Sequence, residues 1–152
     1  MKNRYRKQRE YYSGKKKRHT IKTQIVINKK SKQIVCTDFT EGKRHDFKLF
    51  KDSRIPFKST QTILVDSGYT GILKLFPNAL IPKKNTKKHK LTDEEKSKNT
   101  IISKQRIIVE NVIGDLKKFR IIADKYRCRR KRFGLRFNLI SGIYNFELIC
   151  DK

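Results

Sequence analysis

The chain has 152 residues, 36% of them apolar and 36% charged, and its 40 Lys+Arg against 14 Asp+Glu give a formal net charge of +26. The length suits one domain that buries roughly 70% of its unfolded surface, while so large a positive charge repels itself and points to a polyanionic partner, nucleic acid first. No apolar run reaches the ~18 residues of a membrane span, no basic amphipathic helix carries Trp and no apolar stretch follows the basic start, so a membrane partner is set aside and a cytoplasmic chain is expected.

Cys36, Cys128 and Cys150 form no C-x-x-C pair and are odd in number, which reads as free thiols in a reducing compartment. His19, His45 and His89 are scattered without zinc spacing.

Residues 1–18 are almost wholly polar and basic, with Glu10 the only acid. They predict a basic N-terminal arm. Lys15, Lys16, Lys17 and Arg18 are candidate phosphate contacts, and Tyr5, Tyr11 and Tyr12 among the cations could stack on bases or anchor the arm to its own domain. Over 19–39 the pattern is a β-hairpin: Ile21, Thr23, Ile25 and Ile27 alternate with other residues, Asn28–Ser31 supplies the turn, and 33–39 returns. After Glu41-Gly42, a short helix over about 46–53 presents Phe47 and Phe50, with Asp46 in its first turn offsetting the dipole.

Residues 62–66 read as a buried strand ending in Asp66, followed by the glycine breaks at 68 and 71. A carboxylate at a strand end facing a glycine-rich turn is a common metal position, and Asp66 could equally cap the short helix expected over 69–76. A short strand over 79–82 follows, then a Lys-rich loop and an acidic turn at 93–95 within 83–100.

The clearest helix is predicted over 101–122, with Ile101, Ile108, Val112, Leu116 and Phe119 on one stripe. Arg106, Glu110 and Lys117 fall on the other side, where Glu110 also reads as an ordinary surface glutamate with an i,i+4 partner. A basic block over 125–136 holds Arg129, Arg130, Lys131 and Arg132 as further phosphate contacts. A last helix over 133–149 carries Phe137, Ile140, Tyr144 and Leu148, and its wide apolar face predicts a buried core helix.

An acid at a strand end and another on a later helix suggest an α/β metal-nuclease architecture. Four segments then carry a resemblance. YYSGKKKRHTIKTQ (11–24), GKRHDFKLF (42–50), LVDSGYTG (64–71) and Arg106-x3-Glu110-x6-Lys117 resemble, in order and spacing, the bacterial insertion-sequence transposases of the DDE superfamily. Ser103 stands where that family's signature has a tyrosine. The resemblance implies an RNase H-like mixed sheet flanked by helices over 19–150. Asp66 and Glu110 would be the second and third catalytic acids, holding Mg²⁺ (or Mn²⁺). Arg106 and Lys117 would bind phosphate or orient the acids, and His45 and Asp46 would support them from behind.

Implied partners are the double-stranded DNA of insertion-sequence ends and a second copy or full-length transposase. The family's first aspartate precedes the hairpin on a central strand, and no aspartate precedes it here. The expectation is therefore a truncated domain lacking the first central strand and inactive alone. A ribosomal-type RNA-binding protein and the downstream half of a frameshifted transposase are the alternatives.

Overall fold

The computed structural model describes residues 10–14, 16–86, 90–124 and 132–150. The polypeptide is a mixed α/β arrangement of small antiparallel sheets and helices. A short ribbon pairs β1 (Tyr12–Ser13) with β2 (Arg18–His19). The main hairpin pairs β3 (Ile21–Ile27) with β4 (Ile34–Glu41), in a register from Ile21↔Glu41 to Ile27↔Ile34 with an irregularity at Val26/Ile27. Its turn forms where the sequence predicts it, because the Asn28 side-chain oxygen accepts from Lys30 and Ser31 N–H at 2.9 and 3.3 Å. The ribbon crosses the expected boundary at 18/19, Arg18 pairing with Ser13 and His19 with Tyr12.

The two faces of the hairpin are covered differently. Ile25, Ile27, Ile34 and Phe39 pack with Val112, Leu116, Phe137, Ile140 and Tyr144. On the other face Gln24 is buried. Helix α1 (Asp46–Asp52) lies there, tied by Gln24 Nε2 donating to Ser53 Oγ at 3.2 Å and by a Lys22–Asp46 ion pair at 3.0 Å. His45 caps α1, its Nδ1 accepting from Phe47 N–H at 3.3 Å.

A second apolar cluster joins Phe50 to Ile63, Val65, Ile72 and Ala79, with Phe47, Phe57, Tyr69, Phe76 and Ile81 around it. The two strands expected here shrink to one parallel bridge, Leu64↔Leu80, and the helix expected over 69–76 shrinks to a 3₁₀ turn at Ile72–Lys74. Interlocked rings hold this cluster in place of long hydrogen-bonded elements: Phe50 lies 5.9–6.0 Å from Phe57, Tyr69 and Phe76.

The long helix α2 spans Asp93–Lys117 and begins a full two turns before its expected start. Thr92 and Glu95 form a capping box, so the acidic residues 93–95 belong to the first helical turn, where they oppose the helix dipole. Val112 and Leu116 are buried, whereas Ile101 is exposed. A single turn α3 (Arg120–Ala123) follows. Helix α4 (Phe133–Cys150) buries Phe137, Ile140 and Tyr144, the face expected to be core, and exposes Leu135, Leu139, Ile143, Phe146 and Ile149 around it. Asn145 fixes α4 to β4, donating to Ile34 C=O at 2.9 Å and accepting from Ile34 N–H at 2.8 Å.

Candidate active site

Asp66 follows the buried Ile63–Val65 segment, which is held by Val65 N–H donating to Leu80 C=O at 3.0 Å and Leu80 N–H donating to Ile63 C=O at 2.8 Å. The strand therefore ends with Asp66 directed out of the aromatic cluster, its side chain 56% exposed. Asp66 Oδ1 accepts from Ser67 N–H at 2.6 Å and from Arg106 Nη1 at 3.2 Å. Among the described residues nothing donates to Oδ2, which leaves that oxygen available. The chain then turns through Tyr69 N–H on Asp66 C=O and reaches Gly71 at φ +94°, a conformation that excludes most side chains.

Arg106 lies on α2, and Glu110 follows it by one turn on the same stripe, about 6 Å along the axis. The Arg106–Asp66 contact thus brings the strand-end acid to the helix surface that carries Glu110. Glu110 is exposed. Lys117, at the end of α2, is exposed on the same stripe.

A second carboxylate approaches the Asp66 turn from α1. Asp46 Oδ1 pairs with Lys22 Nζ, and its Oδ2 lies 3.7 Å from where a Cβ on Gly68 would be. Tyr69 sits between the two acids. Burial first, then the charges of Asp46 and Asp66, push its phenol up to about 12. Lys22 and Tyr69 are the members of this constellation that sequence reasoning missed. Lys22 was given no role, and Tyr69 looked like part of a helix.

Of the other predicted contacts, Lys16, Lys17, Arg18 and Arg132 are exposed, the first three on the β1–β2 ribbon and the last at the start of α4. Lys15, Arg129, Arg130 and Lys131 lie outside the described residues, as does Cys128. Cys36 and Cys150 are free thiols.

Asp66 and Glu110 have the hard-oxygen chemistry that Mg²⁺ or Mn²⁺ takes. No group of three or more His, Cys, Asp or Glu able to hold a metal ion occurs among the described residues. The acids present therefore fit part of a two-ion centre in kind and fall short of one in number.

A family model described as a DDE superfamily endonuclease matches residues 2–145, and the chain belongs to that family. It is 45% identical over 141 residues to a protein of Microchaete diplosiphon described as "Probable transposase for insertion sequence element IS702", covering 93% of this chain and 51% of that relative. The chain thus spans about half the length of the curated relative it matches. No solved structure matches it. The family match leaves the ribosomal-type alternative without support. Among the described residues, no helix is long and apolar enough to cross a membrane.

Proposed function

We propose that this chain is the part of an insertion-sequence DNA transposase that carries the second and third acids of a DDE phosphoryl-transfer centre, Asp66 and Glu110. The observation that carries the reading is the Arg106–Asp66 contact. It draws together the two motifs that family membership makes relevant, the strand-end aspartate and the Arg-x3-Glu-x6-Lys helix. Divalent ions, when bound, would activate the attacking oxygen and stabilise the leaving one.

The chain's own residues do the positioning. Ser67 N–H and Arg106 hold Oδ1 of Asp66, which aims Oδ2 away from them. Glu110 offers a second carboxylate from the neighbouring turn, and Lys117 and Arg132 present exposed cations for phosphate oxygens. Lys22–Asp46 braces the turn behind Asp66.

The fold we propose is an RNase H-like sheet completed by a further strand. β3 is paired on one edge only, and Leu64 bridges only to Leu80 among the described residues. Free edges of this kind recruit strands. The completing strand would bring the first, missing carboxylate, and double-stranded DNA is the substrate.

The test compares the 152-residue chain with a version extended at its N terminus by a segment that supplies a strand and an aspartate. With Mg²⁺ or Mn²⁺ the chain alone is expected not to nick or join duplex DNA, and the extended protein is expected to do so. Metal-dependent cutting by the chain alone that Asp66→Asn abolishes would contradict the need for an added acid.

A further inference from the structure

Among the described residues, none of the β1–β2 ribbon belongs to either apolar cluster, yet its pairing is specific. Tyr12 pairs with His19 and Ser13 with Arg18. The Tyr12 and His19 rings meet edge to face at 5.8 Å, which staples the two strands. Lys16, Lys17, Arg18 and His19 are all exposed, and no acid occurs between Tyr11 and Thr20.

The base of the ribbon is locked to the main hairpin by backbone hydrogen bonds. Thr20 N–H donates to Tyr11 C=O at 2.7 Å, Gly42 N–H to Thr20 C=O at 3.0 Å and Lys43 N–H to Glu10 C=O at 3.1 Å. Three chain segments converge on Gly42. A Cβ there would lie 2.8 Å from Thr20 O and 2.9 Å from Tyr11 O, and closer still to the Thr20 hydroxyl. Only glycine lets the ribbon sit where it does.

We propose that this ribbon enters the major groove of duplex DNA, as a rigid probe whose position Gly42 sets. The proposal rests on the preceding reading of DNA as substrate and names the surface that engages it. Two paired strands lie about 4.8 Å apart, and the two residues of each strand reach about 7 Å. The major groove, about 12 Å wide and 8.5 Å deep, accepts such a ribbon, while the minor groove, about 6 Å wide, does not. Lysine and arginine inside the major groove meet guanine O6 and N7 and the flanking phosphates.

The other end of the same hairpin supplies a control. Its turn carries Lys29, Lys30 and Lys32, also exposed and equal in number to the ribbon's Lys16, Lys17 and Arg18. That turn is folded tightly onto Asn28, with no ribbon beyond it.

The experiment uses the full chain at saturating concentration on a short mixed-sequence duplex, with dimethyl sulfate as the probe. This reagent methylates guanine N7 in the major groove and adenine N3 in the minor groove. The expected result is protection of guanine N7 with adenine N3 unchanged. K16A/K17A/R18A should lose that protection and weaken binding roughly tenfold or more, since each lost phosphate contact also lowers the salt dependence. K29A/K30A/K32A should keep the protection.

Gly42→Ala keeps every charge and should also lose N7 protection, with thermal unfolding reporting whether the body stays folded. If that variant unfolds, the two triple variants still decide. Equal losses from the two triples, or protection of adenine N3 in place of guanine N7, would overturn the ribbon proposal while leaving DNA as the substrate. Failure of the unaltered chain to bind duplex at all would overturn both.

Discussion

The two apolar clusters of this protein are built on different principles, and the candidate site lies across their junction. The first packs two long helices, α2 and α4, on a seven-pair antiparallel hairpin, so its residues are fixed by ladders and helical turns as well as by burial. The second holds Ile63, Val65, Ile72 and Ala79 with one bridge and one 3₁₀ turn, and relies on Phe50, Phe57, Phe76 and Tyr69 interlocking. Asp66 issues from the second cluster and Glu110 from the helix of the first. The partly exposed Arg106–Asp66 ion pair is one of several polar contacts that link them, with Lys22–Asp46, Gln24–Ser53 and Lys83–Glu95. Such pairs contribute roughly 0–1 kcal/mol, so the relative placement of the acids depends on each cluster keeping its own shape.

The largest expected effect separates the clusters. Phe50→Ala removes the ring on which three others rest and should cost about 3–5 kcal/mol. Hydrogen exchange should then quicken over 62–81 and in α1 while the amides of β4 and α4 keep their protection. Uniform loss across the chain would show that the two clusters form one cooperative unit.

Asn145→Ala acts on the other cluster. It leaves Ile34 N–H and C=O without their α4 partners at a buried position and should cost about 1–3 kcal/mol by denaturant unfolding. Its exchange signature should appear in β4 and α4 and spare 62–81.

Tyr69 gives a pH test confined to the second cluster. Its phenol titrates near 10 when unfolded and at about 12 when folded, so the unfolded chain releases the proton first. Stability from this group is intact below pH 10 and is lost as pH rises from 10 toward 12, by about 1–2 kcal/mol after allowance for solvent screening. Tyr69→Phe should flatten that alkaline slope, and an unchanged slope would remove Tyr69 from the account. The smallest effect belongs to Arg106→Ala, expected to change stability by less than about 1 kcal/mol, because the pair it breaks is partly exposed.

The sequence announced the first cluster better than the second for a physical reason. Alternation over Ile21–Ile27 and the helical spacing of Val112–Leu116 and Phe137–Tyr144 are periodic signals, and the hairpin and both helices were legible from them. Residues 62–81 have no period to read. Their apolar run suggested strands, but ring packing outweighed ladder formation and only Leu64↔Leu80 pairs. The start of α2 was legible but misread: Thr92-x-x-Glu95 is a capping-box pattern, and the surrounding lysines disguised it as loop.

At the site, the Asp66 and Arg106/Glu110 motifs stood out, and their joining contact followed only from the resemblance, which has Arg106 orient the acids. A contact 40 residues apart depends on how two clusters dock, and no local pattern encodes that. The covering of Gln24 by α1 and the bare outer face of α4 were hidden for the same reason.

The central claim is that Asp66 and Glu110, one from each cluster, serve a single centre. The most direct measurement is a double-mutant cycle on metal-dependent DNA cleavage in the N-terminally extended protein, with Asp66→Asn, Glu110→Gln and the pair together. If the two carboxylates act as a unit, each single change should cost about as much as both, roughly 10³-fold or more in rate. Losses that multiply in the double variant, or an active single variant, would contradict the account.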